Sequence, residues 1–150
     1  MRTRRRMQVA GNRIGIWMYR RWNGRGMGGT DEAPVVMLTV PGRTSGLDRP
    51  TCVRALREGD GWLVWGTGSG SPTDPQWFRN LRAAREGWVQ VGSRRLRVRL
   101  EELTGVERDA AWQRVLSALP SVAKYERKAG RTIPVARVVP AREQVAPRTD

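Results

Sequence analysis

An α+β fold on a barrel-like antiparallel sheet follows from three features of this 150-residue chain. Strand-length apolar runs are joined by short glycine turns of the hairpin kind. Helical patterns fall at the start, the middle and late in the chain. They do not alternate regularly with the strands, which argues against a parallel doubly wound sheet. At this length a single domain with a real core is expected.

Residues 1–29 hold eight arginines and no acid. Within them Ile14, Trp17, Met18 and Trp22 recur at helical spacing, flanked by Arg13, Arg20 and Arg21. This predicts a basic amphipathic helix ended by Gly24, Gly26, Gly28 and Gly29. Such a helix docks on its own domain or lies on an anionic membrane surface. The run Arg4-Arg5-Arg6 has the look of a twin-arginine leader, but Gly11, Asn12 and Arg13 stand where the apolar stretch should be, so export is not expected.

Pro34 to Val40 reads as a buried strand, followed by a turn from Gly42 to Gly46. Thr51, Val53, Ala55 and Arg57 alternate with Cys52, Arg54 and Leu56 as a second strand. Glu58-Gly59-Asp60-Gly61 is a hairpin turn, and Trp62 to Thr67 returns. A glycine- and serine-rich loop leads to Asp74 as N-cap and Pro75 as first helical residue. That helix runs to Arg85 and stops at Gly87.

Trp88 to Val91 and Arg94 to Glu101 form a hairpin about Gly92-Ser93. Leu96, Val98 and Leu100 share one face of its second strand. Arg95, Arg97, Arg99 and Glu101 share the other, which reads as solvated. Thr104 and Glu107 fit a capping box for a helix ending near Leu119. A short helix from Ser121 to Ala129 stops at Gly130, and Thr132 to Val139 is the last strand. The organisation expected is an N-terminal helix or arm over residues 1–29, a domain over 30–139 and a polar tail over 140–150.

Composition narrows the chemistry. The chain has no histidine and one cysteine, Cys52. A histidine base, a His-containing triad, a zinc cluster and an internal disulfide are therefore excluded. The formal net charge is +14, and Lys124 and Lys128 are the only lysines. Arginine forks suit phosphate and carboxylate, so the partner sought is anionic: nucleic acid, an acidic membrane or a polyanionic small molecule. The tryptophans lie in apolar runs rather than on an arginine-rich face, which argues against nucleic acid. No stretch has the length of a membrane span, and the expected location is cytoplasmic, with the basic helix as a route to a membrane surface.

Two motifs carry the functional signal. In the turn from Gly42 to Gly46, successive N–H groups can form an anion-binding nest. Thr44 and Ser45 add hydroxyls, and Arg43 and Arg49 add charge-assisted donors. It is neither a Walker loop nor a dinucleotide fingerprint. In the second motif, Trp77 and Phe78 open a helix whose N-terminus near Gln76 offers N–H groups. With Leu81 they have core spacing; one of them beside a flat heterocycle is the functional alternative.

The ordered series LTVPGRTSGLDRP, WGTGSGSPTDPQWFRNLRA and GRTIPV resembles the deazaflavin-dependent nitroreductase family. The resemblance spans roughly Gly28 to Val139. It implies a split β-barrel of five to six antiparallel strands with flanking helices. It implies bound coenzyme F420, in preference to FMN, and hydride transfer to a quinone, nitroaromatic or related acceptor. The family's phosphate turn corresponds to Arg43, Thr44 and Ser45. Its following strand corresponds to Arg49, Pro50, Thr51, Cys52, Val53 and Arg54. The segment beside the deazaflavin corresponds to Trp65, Gly66, Thr67 and Gly68, and the helix start to Gln76, Trp77, Phe78, Arg79 and Asn80. The acceptor side falls on Ser121, Val122 and Tyr125, with the Tyr125 hydroxyl as the candidate catalytic group. F420 carries a phosphodiester and a polyglutamate tail, in keeping with the arginine surplus. The rival readings are a split barrel that holds a flavin, F420, haem or lipid without turnover, and a nucleic-acid binder.

Overall fold

The computed structural model describes residues 13, 15–21, 24 and 28–141. Seven strands form one antiparallel sheet: β1 (Val35–Pro41), β2 (Asp48–Arg54), β3 (Leu56–Glu58), β4 (Gly61–Trp65), β5 (Glu86–Val91), β6 (Arg94–Glu102) and β7 (Val135–Pro140). Beside it stand α1 (residues 15–21), α2 (Gln76–Ala84), α3 (Gly105–Ala118) and α4 (Ala123–Ala129), the last entered through a 3-10 turn at Pro120–Val122. The order across the sheet is β2-β1-β5-β6-β7-β4-β3. The sheet curls into a half-barrel, the split-barrel α+β architecture.

The strand count exceeds expectation because the segment from Thr51 to Arg57 is not one strand. Arg54 still pairs with Val35 of β1. At the buried Ala55 the chain turns away, with Ala55 N donating to Pro34 O (2.9 Å) and Arg57 N to Glu32 O (2.7 Å). Leu56–Glu58 then pairs with β4. β2 and β3 are thus neighbours in sequence and opposite edges of the sheet.

Side-chain alternation along each strand divides the apolar residues between two cores. Val36, Leu38, Val40, Val64, Val89, Val98 and Val138 face inward, where Phe78 and Leu81 of α2 join them. Leu63, Trp65 and Val135 face outward under Trp112 and Val115 of α3 and Val122 and Ala129 beside α4. Burying a side chain of this size stabilises by roughly 1.5–3 kcal/mol, so both clusters are needed to hold so curled a sheet. The arginine row on β6 is exposed, as expected. Arg95 stacks on Trp88 at 4.5 Å and Arg97 pairs with Glu86.

Three terminal signals resolve differently from the sequence reading. α2 begins after Pro75 with no side-chain cap, and Asp74 is engaged in ion pairs instead. It ends at Arg85, whose φ is 62°, while Gly87 lies inside β5. A Cβ at Gly87 would stand 2.6 Å from Thr39 O, so glycine there admits β1. Thr104 is the N-cap of α3 but makes no side-chain cap bond, and Glu107 pairs with Arg137 across to β7.

The apolar stripe predicted for α1 is also corrected. Tyr19 is its anchor, fully buried, whereas Trp17 is 60% exposed. Ile14 and Trp22 lie outside the described residues. The Tyr19 hydroxyl donates to Gln90 O (2.8 Å) and accepts from Gly92 N (3.0 Å), which pins α1 to the β5–β6 hairpin. Burial raises the Tyr19 pKa, the Gly92 N–H opposes the rise, and nearby Cys52 adds to it. Cys52 faces outward on β2, and burial pushes its thiol up to about 11 despite Arg20 close by.

A prediction follows from this geometry. Tyr19→Phe leaves a buried carbonyl and N–H unpaired and lowers stability by about 1–3 kcal/mol, measured by denaturant unfolding. At about pH 8 only on the order of a thousandth of Cys52 is thiolate, so alkylation of the folded protein is slow. The same substitution speeds it. An alkylation rate that does not change in Tyr19→Phe means that α1 does not shield Cys52.

Candidate functional site

The turn joining β1 to β2 packs against the start of α2. Gly42 N donates to Leu47 O and Gly46 N to Gly42 O, both at 2.8 Å. Leu47 N donates to Ser45 Oγ at 3.2 Å. Arg43 N donates to Asn80 Oδ1 at 3.2 Å. Among the described residues, the N–H groups of Thr44 and Ser45 have no protein partner and remain open to an anion.

Arg43 ties this turn to the helix. Its Nη1 donates to Asn80 Oδ1 (2.7 Å) and its Nη2 to Gln76 Oε1 (2.6 Å). Gln76 and Asn80 are four residues apart and share a face of α2. The Arg43 Nε hydrogen is left for a ligand, as is a second hydrogen on each Nη. Asn80 is only 8% exposed, so its amide orientation, and Arg43 with it, is held by packing.

Ser45 and Arg49 close the cradle from the other side. A Cβ on Gly42 would lie 2.9 Å from Ser45 Oγ and 3.5 Å from Arg49 Cγ and Nε. Glycine at 42 therefore lets a hydroxyl and a guanidinium meet over the turn. α2 adds its own N-terminus: no side-chain cap and no acid in its first turn. Phe78 N and Arg79 N both donate to Pro75 O, while Gln76 N and Trp77 N have no protein partner among the described residues. Asp74, just before the helix, is paired with Arg82 (2.9 Å) and Arg131 (2.7 Å). An uncapped helix start beside open turn N–H groups and two arginines presents the kind of donors that suit an anion.

Strand geometry divides the candidates taken from β2. Arg49, Thr51 and Val53 lie opposite Val40, Leu38 and Val36 and share the inner face. Pro50, Cys52 and Arg54 point the other way. Cys52 lies near Tyr19 and Arg20, and Arg54 Nε donates to Ala33 O (2.9 Å). In a strand of period two the side chains of a contiguous run alternate faces, so those of Pro50, Cys52 and Arg54 lie away from the inner face that Arg49 shares.

The other candidates separate in the same way. Phe78 is wholly buried and belongs to the inner core. Trp65 is buried on the outer side with Trp112 and Ile133. Gly66 is wedged between Pro75, Phe78 and Pro134. Half-buried Thr67 and Gly68 begin the loop beside Pro75, and half-buried Trp77 meets Phe78 edge-on at 5.4 Å. Arg79 is exposed.

On the acceptor side, Ser121 and Tyr125 share a face with Lys128, and the Lys128 stem lies against Gly70 of the same loop. Val122 turns into the outer core instead. Lys124 Nζ sits 4.9 Å from the Tyr125 ring.

Sequence reasoning missed Arg131 and Lys128, which bring the end of α4 onto the loop between β4 and α2. Arg131 stands in the GRTIPV series, directly after the helix-ending Gly130, but the sequence assigns it no role.

Comparison with known proteins agrees with this geometry. A family model described as F420H(2)-dependent quinone reductase matches residues 11–140. An F420H(2)-dependent quinone reductase of Mycobacterium tuberculosis is 30% identical over 122 residues, 79% of this chain and 82% of that protein. The solved structure of an F420-H2-dependent reductase is 32% identical with a TM-score of 0.63, covering 70% of this chain and 93% of that one. An FAD-binding protein of Mesorhizobium loti, 11% identical with a TM-score of 0.50, shares the fold over 72% of this chain and 81% of its own. The family match spans the sheet, the turn, α2 and α4 together, and this chain belongs to the F420H(2)-dependent quinone reductase family.

Proposed function

We propose that the 42–46 turn, Arg49 and the start of α2 hold the phosphodiester of reduced coenzyme F420. The deazaflavin then lies along Thr67, Gly68 and Trp77 for hydride transfer to a quinone. The observation that carries this reading is the convergence of free N–H groups, Ser45 Oγ and two arginines on one concave turn. The residues fit the group: arginine, hydroxyl and backbone N–H donors suit a phosphodiester, and half-buried Trp77 suits a flat ring.

When bound, F420 supplies the hydride, and the protein's task is orientation and exclusion of water. Arg43 is held by Gln76 and Asn80 before ligand arrives, so little side-chain freedom is lost on binding. In this reading the Tyr125 hydroxyl, on α4, donates to an acceptor oxygen and stabilises charge developing there.

The N-terminal helix suggests where the acceptor is met. Arg13, Trp17, Arg20 and Arg21 share the face of the helix opposite Tyr19, by its 3.6-residue turn, and all four are exposed. Docking through Tyr19 therefore leaves Arg13, Arg20 and Arg21 exposed on a basic face suited to an anionic membrane, where lipid-soluble quinones reside. Among the described residues no helix is long and apolar enough to cross a membrane.

Three tests address these parts. Loss of one charge-assisted bond costs about 1.5–3 kcal/mol, so Arg43→Ala and Arg49→Ala each weaken F420 binding roughly tenfold or more. The loss shrinks as salt is raised. Wild-type affinity in both folded variants rejects the phosphate assignment. Tyr125→Phe lowers turnover with a quinone and leaves F420 affinity unchanged; unaltered turnover removes Tyr125 from the reaction. For the helix, cosedimentation with anionic vesicles is compared between wild type and a Trp17→Ser, Arg20→Gln, Arg21→Gln variant. At about 1 kcal/mol per arginine, the variant binds at least about tenfold more weakly. Equal binding rejects the membrane role of α1.

A further inference from the structure

Arg131 follows Gly130, whose φ of 63° ends α4. Its side chain is 15% exposed. Nε donates to Ser71 O (3.0 Å) and Nη1 to Asp74 Oδ1 (2.7 Å). Nη2 donates to Gly66 O (2.9 Å), Thr73 O (3.0 Å) and Thr67 O (3.3 Å). One guanidinium thus gathers four carbonyls and a carboxylate from the whole connection between β4 and α2.

That connection is under conformational strain. Gly68, Ser69 and Gly70 have φ of 55°, 56° and 86°, in the left-handed region. Ser69 carries a Cβ there, a conformation that side chains rarely adopt and that needs surrounding structure to enforce it. Gly70 N donates to Thr67 O and Ser71 N to Gly68 O, closing two successive tight turns. The N–H groups of Gly68 and Ser69 have no protein partner among the described residues. From α4, the Lys128 stem presses on the same turn, its Cδ 2.6 Å from where a Gly70 Cβ would stand.

We propose that Arg131 is a positioning residue for the cofactor. It holds the 68–70 turn and the first residues of α2 as one unit against the end of α4. The loop bordering the deazaflavin and the Tyr125 face of α4 are thereby kept at a set separation. Arg131 itself touches neither cofactor nor acceptor, and the inference rests on the placement of the deazaflavin along Thr67, Gly68 and Trp77. A lysine could keep the pair with Asp74 but lacks the planar fork that reaches the carbonyls. Arg82 offers a built-in comparison, since it pairs with the same Asp74 and with Glu102 but holds none of the loop carbonyls.

The experiment compares Arg131→Lys, Arg131→Ala and Arg82→Gln with wild type as full-length protein. F420 affinity, kcat and KM for reduced F420 and a soluble benzoquinone, and Tm are measured. Both Arg131 variants are expected to bind F420 about tenfold more weakly, with KM for reduced F420 rising in step. Millimolar guanidinium is expected to restore binding to Arg131→Ala. Arg82→Gln loses stability but keeps F420 affinity within about twofold, because Arg131 still pairs with Asp74 and still holds the loop carbonyls. Wild-type F420 affinity in folded Arg131→Lys overturns the proposal. So does an affinity loss that follows Tm equally in Arg82→Gln, or a guanidinium effect confined to stability. If Arg43→Ala and Arg49→Ala weaken F420 while the Arg131 variants do not, the positioning role alone fails. If none of these substitutions changes binding, the cofactor placement itself fails and the inference with it.

Discussion

A single residue, Ala55, joins the two edges of the sheet. β2 and β3 flank it in sequence and lie at opposite ends of the strand order. A flat sheet of seven strands at about 4.8 Å spacing would put those edges some tens of ångströms apart. One residue spans at most about 3.6 Å. The sheet must therefore curl until its edges nearly meet, and the right-handed twist of strands supplies the curl. The remaining architecture follows from it. Curling creates an inner face that α2 fills with Phe78 and Leu81, and an outer face that α1, α3 and α4 must cover in patches. It also sets the β1–β2 turn over the start of α2, where the anion cradle forms.

The arginine content gains a second meaning from this geometry. Several arginines brace loops rather than sit in solvent. Arg43 joins a turn to α2, Arg131 gathers the β4–α2 loop, and Arg137 joins Glu58 to Glu107. Each takes acids or carbonyls out of play. Asp74, Glu58, Glu102 and Glu107 are all committed to arginine partners. The cradle over Gly42 holds Arg43 and Arg49 with no carboxylate hydrogen-bonded to either. A net charge alone would not show which arginines are paired with acids and which are not.

Sequence legibility divided along physical lines. The hairpin turns at Gly59-Asp60 and Gly92-Ser93 and the stop at Gly130 were readable, because their chemistry is local. The break at Ala55 was not, since alternation continues through it and only the pairing partner changes. Asp74 and Glu107 had the sequence signature of caps, but partners distant in sequence outcompeted the local backbone. Tyr19 escaped the apolar stripe because a tyrosine with both hydroxyl bonds satisfied behaves as a core residue. In the site, the turn residues Arg43, Thr44 and Ser45 and the helix residues Gln76 and Asn80 were identified by motif and are brought together. Pro50, Cys52 and Arg54 were adjacent in the motif but lie on the other side of the strand.

The two halves of the proposed site differ in what holds them. The anion half is built on β1, β2 and α2, where ladder bonds hold the strands and a buried Asn80 holds Arg43 before any ligand arrives. The acceptor half is α4, seven residues long and tied to the loop by Lys128 and Arg131. A short helix has little stability of its own, so its position depends on those ties and on Val122 and Ala129 in the outer core. In the proposed site, a cofactor cradle on sheet and helix beside a wall held by a few contacts would let acceptor choice change without disturbing cofactor affinity. Substitutions at Ser121 or Tyr125 alter the wall's lining alone. A change at Arg131 reaches both halves, because the same guanidinium lies at the end of one and holds the loop of the other.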